Sequence, residues 1–291
     1  MALGYYRFTV GSADDGITLR RFLRQKCGLS ARSLTVIKYD GGSILCGDRE
    51  LRARDIFHSG DRIEVTLPHE ACDITPVEGA LDILFEDERL LIVNKPHDIP
   101  VHPTKVHQLD TLANIVSFYQ RQRGEGYTFR ALNRLDKDTS GCVILAKDRI
   151  AYSLVQPTVE KEYVAVCEGN IEMSGTIDAP IALCPDSKIK RCVCVDGARA
   201  VTHYEPIAHG NGHTMCRMKL ETGRTHQIRC HMSHIGHPLA GDDLYGGSLR
   251  YITRQALHCQ SVRFTHPDTK EAILLSTEIP TEFLNIIHKE G

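Results

Sequence analysis

The sequence predicts an α+β protein in two parts, a small α+β unit over residues 1–70 and a larger one over 81–291 on a mixed or antiparallel sheet. Three observations carry this reading. In the larger part strand-like runs outnumber helical ones, and the two kinds do not alternate as a doubly wound sheet would require. Residues 67–80 (LPHEACDITPVEGA) hold two prolines, several acids and no periodicity, which places a linker at 71–80.

In the first unit YYRFTV (5–10) reads as a strand and ITLRRFLRQKC (17–27) as a helix, with Leu19, Phe22 and Leu23 on one face at i, i+3 and i+4. Ser30 is placed to cap a second short helix through Ile37. SILCG (43–47) is a strand ended by a Gly-Asp turn, and Ser59-Gly60-Asp61 turns the chain into the alternating strand RIEVTLP (62–68). In the larger unit strands are expected at LDILFED (81–87), RLLIVNKP (89–96), CVILAKD (142–148), KEYVAVCEG (161–169) and TMCRMKLET (214–222), with a weaker one at HYEPIAH (203–209). Helices are expected at TLANIVSFYQRQ (111–122), THQIRCHMSHIG (225–236) and AYSLVQPTV (151–159), the last interrupted by Pro157.

A chain of 291 residues, 42% hydrophobic and 25% charged, has apolar sequence for two cores, which excludes disorder and fibrous architectures. Apolar stretches such as LLIV (90–93) fall far short of the ~18–20 residues of a membrane helix. The start, MALGYYRFTV, shows no basic segment followed by an apolar one, so a cytoplasmic protein without a membrane partner is expected. Eleven cysteines, odd in number and without a CxxC pair, read as reduced thiols. The net charge of −2 conceals segregation: six basic residues and no acid stand between Gly16 and Tyr39, whereas 71–100 holds two basic and seven acidic residues. A near-neutral total is therefore compatible with a basic binding face made by Arg20, Arg21, Arg24, Arg32 and Lys38.

Two polar clusters are candidates for chemistry. Residues 133–141 (NRLDKDTSG) feed the apolar strand CVILA, and Asp136 is flanked by Arg134 and Lys137, whose charges favour the carboxylate. The competing reading is a turn in which Asp138, Thr139, Ser140 and Gly141 bond their own backbone, as expected of Asp138 and Ser140. Residues 223–247 hold two arginines, four histidines and five glycines. His231, His234 and His237 with Cys230 have spacings that could meet on zinc, but Gly236 and Pro238 end the helix before His237, which favours a polar loop without metal.

Several segments together carry a resemblance that spacing cannot supply: FEDERLLIVNKPHDIPVHP (85–103), ALNRLDKDTSGCVILAKD (131–148), KEYVAVCEG, LETGRTHQIRCHMSHIGHPLAGDDLYGG (220–247) and ALHCQSVRFTHPDTKE (256–271). In this order they resemble the RluA-type RNA pseudouridine synthases, with RLDKDTSG and GRTHQIR the specific blocks. LRRFLRQKCGLSARSLTVIK with SGDRIEVTLP is similar, more loosely, to an S4 RNA-binding domain.

The resemblance implies a pseudouridine synthase fold, an S4-like unit before it, isomerisation of uridine in ribosomal or transfer RNA, and no cofactor or metal. It puts the catalytic aspartate at Asp136, the active-site tyrosine at Tyr163 and the arginine paired with the aspartate at Arg224. Arg134, Asn94, Lys95, His226 and Arg229 are the expected substrate contacts, beside the basic face of residues 20–38. Asp136 would attack the sugar, attack the base or take the 2′ proton. Two positions depart from the family pattern: Asn133 stands where histidine is usual, and Asp98 where glycine is usual. Asn133 retains a donor and an acceptor, and Asp tolerates positive φ. The alternative is a non-catalytic RNA-binding or assembly protein, which would have no use for a carboxylate that repels phosphate.

Overall fold

The computed structural model describes residues 4–29, 31–70 and 72–288. Its first unit runs β1 (Tyr5–Thr9), α1 (Leu19–Cys27), α2 (Ala31–Tyr39), β2 (Ser43–Cys46), β3 (Arg49–Glu50) and β4 (Arg62–Thr66), with sheet order β1-β4-β2-β3. Leu19, Phe22 and Leu23 are buried on the face of α1 that their spacing marks, together with Ile37, Ile44 and Ile63. The expected cap, Ser30, lies outside the described residues.

The larger unit follows with β5 (Asp82–Glu86), β6 (Leu90–Lys95), α3 (Leu112–Gln122), β7 (Ser140–Ala146), α4 (Arg149–Val155) and β8 (Glu160–Glu168). It continues through β9 (Gly175–Asp178), β10 (Ile181–Leu183), β11 (Arg191–Val193), β12 (Val201–Gly210), β13 (His213–Leu220), α5 (Gln227–His234), β14 (Leu257–Thr265), β15 (Ala272–Ser276) and α6 (Thr281–His288). Nine strands make one mixed sheet in the order β5-β6-β7-β14-β8-β13-β12-β9, with β15 on the far half of β14. Its one parallel seam joins β7 to β14 at Ser140–His258 and Gly141–Cys259, and the other pairings are antiparallel. The hairpin β10-β11 stands apart from this sheet. β7, buried at all seven positions, is the centre of the core, which explains why CVILA shows no alternation.

Irregularities explain what periodicity did not reveal. The weak signal at HYEPIAH belongs to the ten-residue β12, whose register slips between Pro206 and Ala208, beside a proline that has no N–H for the ladder. β14 likewise slips between Cys259 and Ser261, which breaks its alternation. Pro157 ends α4, and the chain continues as a 3-10 turn over Gln156–Thr158. Among the described residues no helix is long and apolar enough to cross a membrane.

The linker expectation is corrected. Residues 72–80 do not hang between the units but are laced to α3: the Val77 amide donates to the Asn114 carbonyl at 3.1 Å, Asn114 Nδ2 to the Thr75 carbonyl at 2.8 Å and Ser117 Oγ to the Ile74 carbonyl at 2.8 Å. Glu70 binds both Arg130 and Arg149. The Tyr6 hydroxyl donates to the buried carboxylate of Asp148 at 2.8–2.9 Å, and the Arg89 guanidinium lies over the Tyr6 ring, 3.9 Å from its centroid. Arg89 also bonds Asp268 at 2.7 Å and the Tyr5 carbonyl at 2.6 Å. Ile150, on α4, is buried in the core of the first unit. At Gly28 (φ 62), which ends α1, a Cβ would stand 2.7 Å from Ser153 of α4, so glycine lets the two helices meet.

Burial pushes the Asp148 carboxyl up, against its hydrogen bonds from Ala151 and Tyr6 and the charge of Arg89. Removing one of those donors should therefore be costly. Tyr6→Phe is expected to lower unfolding free energy by about 1–3 kcal/mol, the usual effect of leaving a buried acceptor short of a partner. Urea unfolding measures it, and an unchanged midpoint would show that the docking contact carries no stability.

Candidate active site

The loop that carries Asp136 is held from three sides. Buried Asn133 donates to the Cys142 carbonyl and accepts from the Ile144 amide, both at 2.9 Å, tying the loop to β7 through both functions of its amide. The Lys95 ammonium, fully buried at the end of β6, donates to the carbonyls of Pro96, Ile99 and Lys137 at 2.8–3.0 Å. Burial pulls its pKa down to about 7, opposed by the carboxylates of Asp138 and Asp136. Arg254 Nη1 donates to the Asp138 carbonyl at 3.0 Å. The loop then enters the parallel seam at Gly141 (φ 111), where a Cβ would lie 2.2 Å from the Cys259 carbonyl oxygen, so only glycine lets β7 and β14 approach here.

Beside this loop opens a cleft lined by Asp136, Arg134, Tyr163, Arg224, His226 and Arg229 among others. Asp136 Oδ2 lies 3.3 Å from Arg229 Nη1 and 3.9 Å from His226 Nε2. Arg229 turns its other edge to the fully buried Asp242, with Nε and Nη2 donating at 2.6 and 2.8 Å. Its guanidinium carbon stands 5.0 Å from the centroid of the Tyr245 ring. Burial opposes the arginine's charge, but the hydrogen bonds and charge of Asp242, with the nearby Asp136, raise its pKa overall. One guanidinium thus joins a buried carboxylate to a half-exposed one.

This corrects the pairing expected for Arg224. Its Nε donates to the Arg199 carbonyl at 3.0 Å, and its backbone amide donates to Gln227 Oε1 at 3.0 Å. The reason is local: His226 takes a left-handed conformation (φ 54) and starts α5, so Arg229, one turn into the helix, faces inward while Arg224 stays at the exposed rim. The charge expected from Lys137 is also turned elsewhere, since Lys137 Nζ pairs with Asp98 at 2.9 Å. Asp98 itself has φ 67, the conformation that makes glycine usual there.

Other residues are redistributed as well. Tyr163, on β8, is buried with its ring at the cleft, and burial, then the neighbouring Cys259 and Asp136, pushes its phenol well up. Arg134 is exposed at the cleft mouth. Lys95 is a structural tie and is too buried to touch RNA, and Asn94 donates to Asp82 at 2.9 Å, away from the cleft. Arg20, Arg21 and Arg24 are exposed on α1, whereas the Lys38 ammonium is turned in to the Leu51 carbonyl. The Arg32 side chain lies outside the described residues. Ser140 does not bond its own backbone but pairs with His258 Nδ1 at 2.8 Å.

The histidines considered for zinc point apart. Both ring nitrogens of His231 lie 2.9 Å from protein partners, Thr202 Oγ1 and the Ala179 carbonyl, while His234 is exposed and His237 Nδ1 meets the Glu168 carbonyl at 2.8 Å. Among the described residues no three His, Cys, Asp or Glu side chains converge as a metal site. The residues that sequence reasoning missed are Asp242, Tyr245 and His258. GDDLYGG contains two adjacent acids, and nothing in it says that Asp242 rather than Asp243 faces Arg229.

A family model described as RNA pseudouridylate synthase matches residues 89–234, a stretch that contains the Asp136 loop, β8 and the whole of α5. The chain is 39% identical over 274 residues to the uncharacterized RNA pseudouridine synthase YjbO of Bacillus subtilis (strain 168), covering 91% of this chain and 96% of that one. It belongs to the RluA-type RNA pseudouridine synthases. The pseudouridine synthase is also similar to the ribosomal large subunit pseudouridine synthase D of Escherichia coli (strain K12), 37% identical over 75% of this chain and 73% of that one. Among solved structures it resembles human RNA pseudouridylate synthase domain containing 1, with a TM-score of 0.58 and 28% identity over 69% of this chain and 84% of that one. The enzyme isomerises uridine to pseudouridine in RNA.

The seam beside the synthase's Asp136 loop carries a pH dependence. His258 is buried between Ser140 Oγ at 2.8 Å and Thr277 Oγ1 at 2.7 Å, and burial, with the charge of Arg254, lowers its pKa to about 4. Between that value and the unfolded ~6.5 the unfolded chain binds the proton and the folded one does not, so stability falls as pH falls through this window. The expected loss from this residue is about 3 kcal/mol on reaching pH 4. Urea unfolding of wild type and His258→Gln from pH 7 to pH 4 should show a shallower slope for the variant. Parallel slopes would show that His258 does not titrate in this way.

Proposed function

We propose that Asp136 is the catalytic carboxylate of this synthase, acting on a uridine of ribosomal RNA in the cytoplasm. The observation that supports it is the chain of contacts Asp242–Arg229–Asp136 at the foot of the cleft. A uridine in structured RNA must leave its stack, at a cost of a few kcal/mol, and needs a pocket for the flipped base. The Tyr163 ring offers that base a face, and Arg134 at the mouth is placed for the RNA backbone. Cleavage of the N1–C1′ bond develops positive charge on the ribose, which a fixed carboxylate stabilises as nucleophile, base or counter-charge. Arg229 aims that carboxylate and, through Asp242, is itself prevented from turning away. The ribosomal target is supported by relatives at 37–38% identity whose names specify the large ribosomal subunit.

Asp136→Asn is expected to abolish product while sparing RNA affinity, because the amide has the carboxylate's shape without its charge. Pseudouridine mapping by mass analysis and RNA retention on filters measure the two. Activity above about a thousandth of wild type, on the scale of lost nucleophiles, would overturn the assignment. Mapping pseudouridines in total RNA from cells with and without the protein identifies the target.

The exposed Arg20, Arg21 and Arg24 on α1 support an RNA-binding, S4-like role for the first unit. Such side chains neutralise phosphates and release counterions without reading bases. Arg20/Arg21/Arg24→Ala should weaken binding and flatten the dependence of log K on log salt by about one for each phosphate no longer neutralised, with the rate on bound RNA retained. Equal affinity and equal slope would leave the basic face a solvated surface only.

A further inference from the structure

His226 sits where the cleft meets α5, and its two ring nitrogens face different surroundings. Nδ1 lies 3.1 Å from the Tyr245 hydroxyl, and Nε2 points to Asp136 at 3.9 Å, a distance longer than a hydrogen bond. The Tyr245 hydroxyl has a second partner, because the Arg191 amide at the start of β11 donates to it at 2.8 Å. Tyr245 is buried, its carbonyl accepts from Ser233 Oγ at 2.8 Å, and Arg229 covers its ring. Its place is therefore set by α5, the hairpin β10-β11 and the arginine that holds Asp136.

A phenol hydroxyl has one proton to give. With the Arg191 amide as its donor, the group available to accept the Tyr245 proton is His226 Nδ1. Which nitrogen of a histidine carries hydrogen is set by the bond the other one makes. We propose that Tyr245 is a positioning residue that fixes His226 in the tautomer protonated on Nε2, so that a hydrogen-bond donor, and not a base, faces Asp136 and the incoming uridine.

Burial favours the neutral imidazole. It lowers the His226 pKa against the opposing pull of Asp136 and Asp242, and Arg229 and Arg191 act in the same direction as burial. Burial also raises the Tyr245 phenol, so its proton stays on oxygen. The donor at Nε2 is not spent on Asp136 at 3.9 Å, so an oxygen of the substrate, a uracil carbonyl or a ribose hydroxyl, can take it. Proton acceptance in the cleft is then left to Asp136, because burial keeps the Tyr163 phenol protonated as well.

The test is long-range proton–nitrogen NMR on protein carrying ¹⁵N-histidine, with His226→Gln identifying the signals. In wild type near neutral pH His226 should show a protonated Nε2 and an unprotonated Nδ1. Tyr245→Phe, which keeps the ring under Arg229, should mix the tautomers and lower the single-turnover rate by roughly 10–100-fold, the range seen when the partner of a metal-binding histidine is removed. RNA affinity should hold within about twofold, since only an outer partner is removed. Glutamine at 226 keeps a donor near the Nε2 position and has no tautomer to fix. Adding Tyr245→Phe to His226→Gln should therefore cost little further. A wild type protonated on Nδ1 would overturn the proposal even if Tyr245→Phe fails to fold. So would a Tyr245→Phe enzyme with unchanged His226 signals, or equal losses from Tyr245→Phe with and without His226→Gln.

Discussion

The Arg229 guanidinium is shared by two carboxylates, and the arrangement of the cleft depends on that division. Asp242 takes two of its N–H groups from a fully buried position, and Asp136 meets a third from the half-exposed floor. A buried arginine with one partner missing would be an uncompensated charge, costing several kcal/mol. The pair with Asp242 removes that cost and leaves Nη1 aimed at one place. The direction of Asp136 is thus set by Arg229, 93 positions away in sequence, on a helix that starts at an unusual backbone conformation.

The loop around Asp136 is also held from a second direction. Its carbonyls at Lys137 and Asp138 are held by Lys95 and Arg254, cations that come from β6 and from the approach to β14. The parallel seam at Gly141 brings those two sources to the same end of β7. The catalytic role proposed for Asp136 would need such support, because misplacement by 1 Å costs about a hundredfold in rate. Buried basic residues that residue type alone would assign to RNA are here internal ties.

The first unit is built into the same framework. Tyr6, Arg89 and Asp148 form one buried group across the two cores, and Asp148 also caps α4 by accepting from the Ile150 and Ala151 amides. The basic face of α1 is therefore held at a set distance from the cleft rather than carried on a free tether. An RNA bound on that face, as proposed above, would meet the cleft in one orientation.

Much of this was legible in the sequence. The apolar face of α1, the buried run of β7, the break at Pro157 and the early end of α5 follow from local patterns, because neighbours along the chain decide them. Asn133 and Asp98 kept the properties their residue types allow, a two-way amide and a left-handed backbone. Tertiary structure alone decided which of two arginines five positions apart meets Asp136, which of two adjacent acids meets Arg229, and that Lys95 and Lys38 turn inward. Those choices depend on where a helix starts and on which strands lie side by side. Residue type and spacing specify a charge, but they do not specify the direction in which the fold points it.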